Sequence, residues 1–204
     1  MKRTQTRAIA IIFLVVLALG AGVWAIQAQE KAPDPEKAKP VKEKFSGMLV
    51  LWAAGPMTGQ STRMTMQVDR WTTDEEKQAL YNTLKESGSD ALLAAMRKDI
   101  VGYIWTTSSL RYKVNIASTF QTEKGRTVRL ITERPITFAE QVAGAPRSRD
   151  YEFGVIEFTL NEKNKGEGVI FPTAKVGVDE KGNLTVEALG TGPQKLMSVK
   201  KDKS

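Results

Sequence analysis

The sequence predicts a mainly β fold with inserted helices, an α+β domain in which about eight antiparallel strands form one barrel or sandwich. Apolar and polar residues alternate with a period of two over much of the chain. Polar, glycine-containing links separate these extended runs, and helical signals occur in one stretch only, between the second and third strands. Because most strands follow one another through short links, we favour the barrel over the sandwich.

Eight runs are predicted to be strands. The clearest are residues 64–69 and 110–116, where every second residue is apolar, so each should bury one face. The other runs are residues 45–54, 127–132, 151–160, 168–176, 184–189 and 196–199. Pro172 lacks the N–H that a central strand donates, so its strand should lie at an edge or be broken there.

The links between these runs have the composition of turns. Residues 121–125, 161–166 and 179–183 are polar and each contains a glycine. Such segments between extended runs are typical of hairpins. The sequence therefore predicts neighbouring antiparallel strands on either side of each link.

Two short helices are predicted after the second strand. Thr73 and Glu76 have the spacing of a capping box, and Gly88 is placed to end the helix that begins there. A second helix is predicted over residues 90–98. The apolar residues that the two helices would bury are Leu80, Tyr81, Leu84, Leu92, Leu93 and Met96.

The N-terminal region has the pattern of an export signal. Residues 8–26 carry no charge and follow a stretch whose charges are Lys2, Arg3 and Arg7. Their length suits either a signal peptide, cleaved after Ala28, or a retained signal anchor. Residues 1–28 are therefore predicted to direct export to the periplasm or the exterior. If the segment is not cleaved, residues 8–26 would anchor the protein in the inner membrane.

A linker is predicted between this signal and the domain. Residues 29–44 contain three prolines and nine charged residues. Such a segment buries too little apolar surface to fold and should be a disordered tether. Residues 45–204 then form one β-rich domain, large enough to build a core without disulfides.

The chain contains no histidine and no cysteine. This excludes Ser-His-Asp and Cys-His catalysis, disulfides, and imidazole or thiolate metal sites. We expect no metal, no cofactor and no assigned catalytic residue. An enzyme based on carboxylates, for which Asp150 and Glu152 share a strand face, is the least favoured function. Three positive charges of the net +7 lie in the targeting segment, so nucleic acid is not an expected partner.

Arginines and aromatic residues form the candidate ligand site. Arginine binds carboxylate, phosphate or sulfate through two parallel hydrogen bonds, and Trp or Tyr stacks on a ring. The candidate residues are Arg70, Trp71, Arg147, Arg149 and Tyr151. The alternative is structural: the arginines pair with Asp69 or Asp150 and the aromatic rings close the core.

Two functions follow from this architecture. One is an envelope module that binds or carries a small apolar or anionic ligand, with Trp52, Tyr103, Trp105 and Phe153 lining a barrel cavity. The alternative is a structural or protein-interaction domain of the envelope, in which these aromatic residues fill the core and the Pro172 strand offers an edge. A filled barrel would favour interaction, and a lined cavity would favour carriage.

Four short motifs resemble an uncharacterised group of small exported bacterial proteins. They are residues 69–76 (DRWTTDEE), 101–104 (VGYI), 133–136 (ERPI) and 147–151 (RSRDY). The resemblance implies bacterial export and a single domain. It assigns no activity and no site residue.

Overall fold

The computed structural model describes residues 42–50, 59–136, 152–179, 184–188 and 193–203. These residues form a mainly β fold with one helix, α1, over Asp74–Met96. The strands are β1 Glu43–Val50, β2 Ser61–Val68, β3 Gly102–Thr106, β4 Tyr112–Val114, β5 Ile116–Thr122, β6 Gly125–Thr132, β7 Phe153–Leu160, β8 Lys165–Val178, β9 Leu184–Ala188 and β10 Gln194–Lys201.

All strand pairs are antiparallel, in the order β4-β3-β2-β1-β10-β8-β7-β6-β5, with β9 beside β8. Only Asn115 separates β4 from β5, the two ends of this order. Its backbone N–H donates to the Ile131 carbonyl in β6 at 2.9 Å. The sheet therefore curls into a nearly closed barrel, as the sequence predicted.

Side chains fill the barrel. The Phe45 and Phe158 rings meet edge to face, with centroids 5.1 Å apart. The fully buried side chains around them come from nearly every strand and include Leu49, Met64, Met66, Ile104, Leu130, Ile156 and Leu160. Burial of their apolar surface is the main free-energy gain of this fold.

The predicted strand count is corrected, since the described residues alone form ten strands and not about eight. Strands β3 and β5 were not predicted, and residues 110–116 are not one strand. Tyr112–Val114 belong to β4, whereas Ile116 begins β5 at the other end of the order. The Asn115 side chain is buried at this corner and donates to the Met96 and Asp99 carbonyls, each at 2.9 Å. Alternation continues through such a corner, so periodicity alone does not reveal it.

The helix count is also corrected, from two to one. The capping box is confirmed, because the Thr73 hydroxyl accepts from the Glu76 N–H and the Glu76 carboxylate accepts from the Thr73 N–H. Gly88 breaks the helical geometry, as predicted, with φ 79° and ψ −174°. The chain returns to helix at once, so the two predicted helices form a single kinked α1.

Pro172 interrupts a ladder but does not lie on an edge strand. Strand β8 pairs with β10 up to Ile170 and with β9 from Ala174 onward. On its other side the register with β7 shifts between Phe153 and Val155. The predicted break is wrong, because β8 runs as one strand from Lys165 to Val178 and only its partner changes near Pro172. The predicted edge is wrong because β8 lies between β10 and β7.

Helix α1 covers one outer face of the barrel, which we call the helix-covered face. It packs its buried Leu84, Leu92, Leu93 and Met96 against outward side chains of β6, β7 and β8. Those strand residues are Ile131, Phe153, Val155, Ala174 and Val176. A second apolar core thus lies outside the barrel. Within the described part of the chain, no helix has the length and apolar character needed to cross a membrane; residues 8–26 lie outside it.

Candidate functional site

Arg70 is engaged by neighbouring carboxylates. Its Nη1 lies 2.8 Å from Glu76 Oε2, and its Nη2 lies 3.5 Å from Asp99 Oδ1. Glu76 also caps α1, so Arg70 ties the end of β2 to the start of the helix. Its partners are not Asp69, which instead accepts from Gln67. Burial raises the pKa of Glu76, but hydrogen bonds from Arg70 and Thr73 outweigh this and hold it below its ordinary value.

Trp71 lies at one end of the barrel in a cluster with Glu43, Arg126 and Lys201, which we call the Glu43 plug. It packs against the barrel core, and the Arg126 guanidinium lies 5.2 Å from its ring centroid. Arg126 donates through both terminal nitrogens to Glu43, at 2.9 and 3.1 Å, and Lys201 Nζ lies 3.1 Å from the same carboxylate. Burial by itself would raise the pKa of Glu43. The hydrogen bonds from Arg126 and Lys201 lower the pKa by more than burial raises it, so it lies below its ordinary value.

Only two of the five predicted ligand residues, Arg70 and Trp71, lie in the described part of the chain. Arg70 and Trp71 make the intramolecular contacts given above, whereas Arg147, Arg149 and Tyr151, like Asp150, lie outside the described residues. A ligand-binding role for this set stays a prediction. The contacts of Arg70 and Trp71 favour the structural alternative.

Of the four aromatic residues considered as a cavity lining or as core filler, the three that the structure describes do not point into the barrel. Tyr103 and Trp105 are half-buried and alternate along β3 with the buried Ile104, so they face outward. Phe153 lies under α1 on the helix-covered face. Trp52 lies outside the described residues.

Cations gather on the outer side of β10 and β1 to β4, which we call the basic face. The strand registers align Lys44, Gln67, Tyr103 and Lys113 in one row across four strands. In the next row Lys200 lies beside Ser46, Thr65 and Trp105. Farther along β1, Arg63 of β2 lies beside Met48 and Lys195 of β10 lies beside Val50. Arg111, the residue before β4, lies against the Trp105 ring. Six cations therefore share this face.

Trp105 lies at the centre of these charges. Lys44 Nζ is 5.7 Å and Arg111 Cζ is 4.7 Å from its ring centroid. Both distances are within the range of cation–π attraction. The ring attracts the two cations, but it carries no net charge, so both positive charges remain.

Few carboxylates oppose these cations. Asp202 accepts from Ser46 at 2.8 Å, and Asp69 accepts from Gln67 at 2.7 Å. Neither is within ion-pair distance of Lys44, Arg63, Arg111, Lys113 or Lys200 among the described residues. The basic face is therefore strongly positive.

Apolar side chains are exposed on and beside the same face. Met48 and Met197 are direct partners across β1 and β10, and they are 37% and 46% exposed. Leu110, next to Arg111, is 79% exposed. A bulge makes the pairing possible: Ser198 has a positive φ of 52°, so Leu196 and Val199 both face inward while Met197 points out.

A shallow cleft lies beside the kink in α1. Its volume is about 370 Å³, and it is lined by Leu84, Lys85, Gly88 and Ser89 of α1 and by residues 175–179 of β8 and its end. The volume falls in the range of small-ligand sites. The cleft is separate from the basic face, because α1 lies over the opposite part of the sheet.

The described residues contain no group of three acidic side chains that could hold a metal ion. The basic face offers exposed ammonium and guanidinium groups around apolar side chains. Sequence reasoning missed this face. The available signal was the set of outward positions in residues 110–116, where Arg111 and Lys113 alternate with buried residues.

Comparison with known proteins assigns this chain to no family. No family model matches the chain, and neither a curated protein nor a solved structure is similar to it. The resemblance to small exported bacterial proteins accordingly stays a prediction.

Proposed function

We propose that this protein is an exported binding module of the bacterial envelope that engages an anionic target with its basic face. The observation that carries the proposal is the concentration of cations around Trp105, of which Lys44, Arg111 and Lys113 lie in no ion pair with another described residue. Export follows from the N-terminal pattern of the sequence.

The filled barrel supports an external binding surface. Small closed barrels have an interior just wide enough for their own side chains. Here Phe45, Phe158 and the residues around them occupy that space. At the end closed by Trp71, the Arg126–Glu43 pair lies across the opening. Carriage of a ligand inside the barrel would require these groups to move.

Electrostatics supports an anionic target. Cations on neighbouring strands lie within a Debye length of about 10 Å, so they repel one another and raise the local potential. A face of this kind attracts anions and speeds their encounter. By contrast, Arg129 on β6 is paired with Glu157 on β7, as expected for a charge with a structural role.

A charge-matched pair of variants tests the proposal. The basic-face variant combines Lys44→Gln, Lys113→Gln and Lys200→Gln. The control combines Lys98→Gln, Lys124→Gln and Lys163→Gln, which are also exposed but lie outside the basic face and the cleft beside α1. Each full chain is titrated calorimetrically with inorganic polyphosphate at low and at physiological salt. We expect the basic-face variant to bind at least about tenfold more weakly and the control to bind as the unaltered protein does.

Equal weakening in both variants would overturn the proposal, because it would reduce the effect to net charge. The N-terminal cations are unchanged in both chains, so they cancel in the comparison.

The cleft beside Gly88 supports a second candidate, the binding of a small ligand. Lys85, Lys175 and Asp179 line it together with the apolar Leu84 and Val176, which suits a small ligand that carries both charged and apolar groups. Native mass spectrometry of the protein purified gently from its host tests it. A reproducible extra mass that disappears on denaturation and in a Ser89→Trp variant, which fills the cleft from its half-buried wall, would support this candidate, and a bare chain would contradict it.

A further inference from the structure

We infer that the target of the basic face is the surface of an anionic phospholipid bilayer. The cations would contact the headgroups, and Met48, Met197 and Leu110 would enter the interfacial layer. The inference rests on the proposed function, since it names the partner of the same face. It also extends membrane contact beyond residues 8–26, to which the sequence confined it.

The spacing of the cations fits an extended anionic surface. Lys44 and Lys113 occupy opposite ends of one row, three strand spacings apart. At about 4.8 Å per spacing this separates their backbones by roughly 14 Å. Lys200 and Arg63 add charge on other strands and in other rows. A single small anion needs donors that converge on one point, whereas a charged bilayer presents many headgroups over a plane.

The exposed apolar side chains favour a bilayer over a soluble polyanion. Met48 and Met197 form an apolar pair within the positive face, and Leu110 is more exposed than either. Tyr103 and Trp105 face the same way and are half-buried. A soluble anionic polymer offers these side chains no apolar partner. A membrane interface accommodates aromatic and flexible apolar groups while cations remain at headgroup level.

The chain enters the domain at this face. Lys44 is the second residue of β1 and belongs to the first row of cations. The sixteen residues 27–42 separate β1 from the apolar segment that is predicted to reach a membrane. Sixteen residues can span at most about 55 Å. A retained anchor would hold the basic face within reach of the headgroups and raise its effective concentration there.

Site-directed spin labelling tests the inference directly. The chain contains no cysteine, so one introduced thiol is labelled uniquely. The test position is Met48→Cys on the basic face, and the matched control is Asn82→Cys, exposed on α1. The labelled full chain is added to phosphatidylcholine vesicles with or without phosphatidylglycerol. Relaxation by oxygen, which is enriched in lipid, is compared with relaxation by a water-soluble nickel chelate.

We expect lipid contact at position 48 only, only in vesicles that contain phosphatidylglycerol, and with loss of contact at high salt. Adding Lys44→Gln, Lys113→Gln and Lys200→Gln should weaken the contact roughly fivefold per charge, about 100-fold in all. Insertion of residues 8–26 would tether the domain to both kinds of vesicle alike, so the difference in contact between vesicles with and without phosphatidylglycerol reports on the basic face.

The remaining outcomes separate the two proposals. Lipid contact at position 48 that is equal in both kinds of vesicle would overturn the charge-dependent inference. Absence of contact, with polyphosphate binding still lost in the basic-face variant, would identify a soluble anionic polymer; the inference would then fail and the proposed function would stand. Absence of both effects would overturn both.

Discussion

The basic face and the helix-covered face are outer sides of the same sheet, and they differ in what lies over them. On the helix-covered face Met96 is 1% exposed, because α1 seals it against β6 to β8. On the basic face Met48 is 37% exposed and lies among cations. The same residue type is thus core on one side and surface on the other. The comparison shows that the path of α1 decides which outward side chains stabilise the fold and which are free to bind.

Two matched methionine substitutions should show this difference most strongly. Met96→Ala removes a buried side chain and should lower the free energy of unfolding by about 2–5 kcal/mol. Met48→Ala should change it by less than about 0.5 kcal/mol. Urea unfolding followed by circular dichroism measures both. Similar losses in the two variants would mean that Met48 is covered in solution.

The corner at Asn115 joins the two faces, because the chain crosses there from β4 to β5. Its Nδ2 donates to the Met96 and Asp99 carbonyls, and its Oδ1 accepts from the Glu133 N–H at 3.0 Å. Asn115→Ala leaves these groups without their partner and should cost about 2–4 kcal/mol. Hydrogen exchange should locate the loss at the end of α1. Uniform loss across the sheet would contradict a role for Asn115 in attaching the helix.

The Glu43 plug links β1 and β10 of the basic face to β6 on the other side. The pKa values of Glu43 and Glu76 are lowered in the folded protein, so each contributes stability above its unfolded pKa near 4.5 that is lost as the pH falls through the lower folded value. We expect the thermal midpoint to fall as the pH drops below 4.5.

Glu43→Gln should cost about 1–3 kcal/mol at neutral pH and flatten this acid dependence. Thermal melts from neutral to acid pH measure both effects, with Glu162→Gln, an exposed turn residue, as the control. An unchanged acid profile in Glu43→Gln would assign the pH dependence to other carboxylates.

Gly88 forms the kink in α1, the helix that packs on the helix-covered face. Its φ of 79° and ψ of −174° are a conformation that residues with a Cβ rarely adopt, although open space surrounds the position. Gly88→Ala should therefore cost about 1–3 kcal/mol through the backbone alone. Calorimetry of Gly88→Ala beside Ser87→Ala, an exposed neighbour, measures this cost. A stabilised Gly88→Ala variant would mean that α1 prefers to be straight.

The charges of the basic face should contribute least to folding. The free energy of unfolding of the variant with Lys44→Gln, Lys113→Gln and Lys200→Gln should lie within about 0.5 kcal/mol of that of the unaltered protein. A small increase is expected, because repulsion between the lysines is relieved. Urea unfolding at low salt is the measurement. A loss of several kcal/mol would show that these lysines are structural and would remove the basis of the binding assays.

The sequence predicted the parts of the fold that depend on local chemistry. The capping box at Thr73 and the break in helical geometry at Gly88 were both identified from residue type and spacing. Strand β3 was missed because its outward Tyr103 and Trp105 are as apolar as its inward Ile104, so alternation disappears. The corner at Asn115 was missed because alternation runs through it.

The candidate site was predicted less well, for a related reason. Arg70 was chosen for its neighbours in sequence, yet its partners are Glu76 and Asp99. The ring stacked by two cations is that of Trp105, whose partner Lys44 lies at the start of β1. Nothing local in the chain associates these residues.

By itself, therefore, the sequence determined the β-rich class, the helix start and its kink, and the chemistries excluded by the absence of histidine and cysteine, since each depends on composition or on residues close in the chain. Only the tertiary structure decided that the barrel is filled, that α1 covers one face, and that Lys200 comes to lie beside Ser46 and near Lys44. Strand order and register are set by packing between distant segments, and this packing brings dispersed lysines and arginines onto one surface.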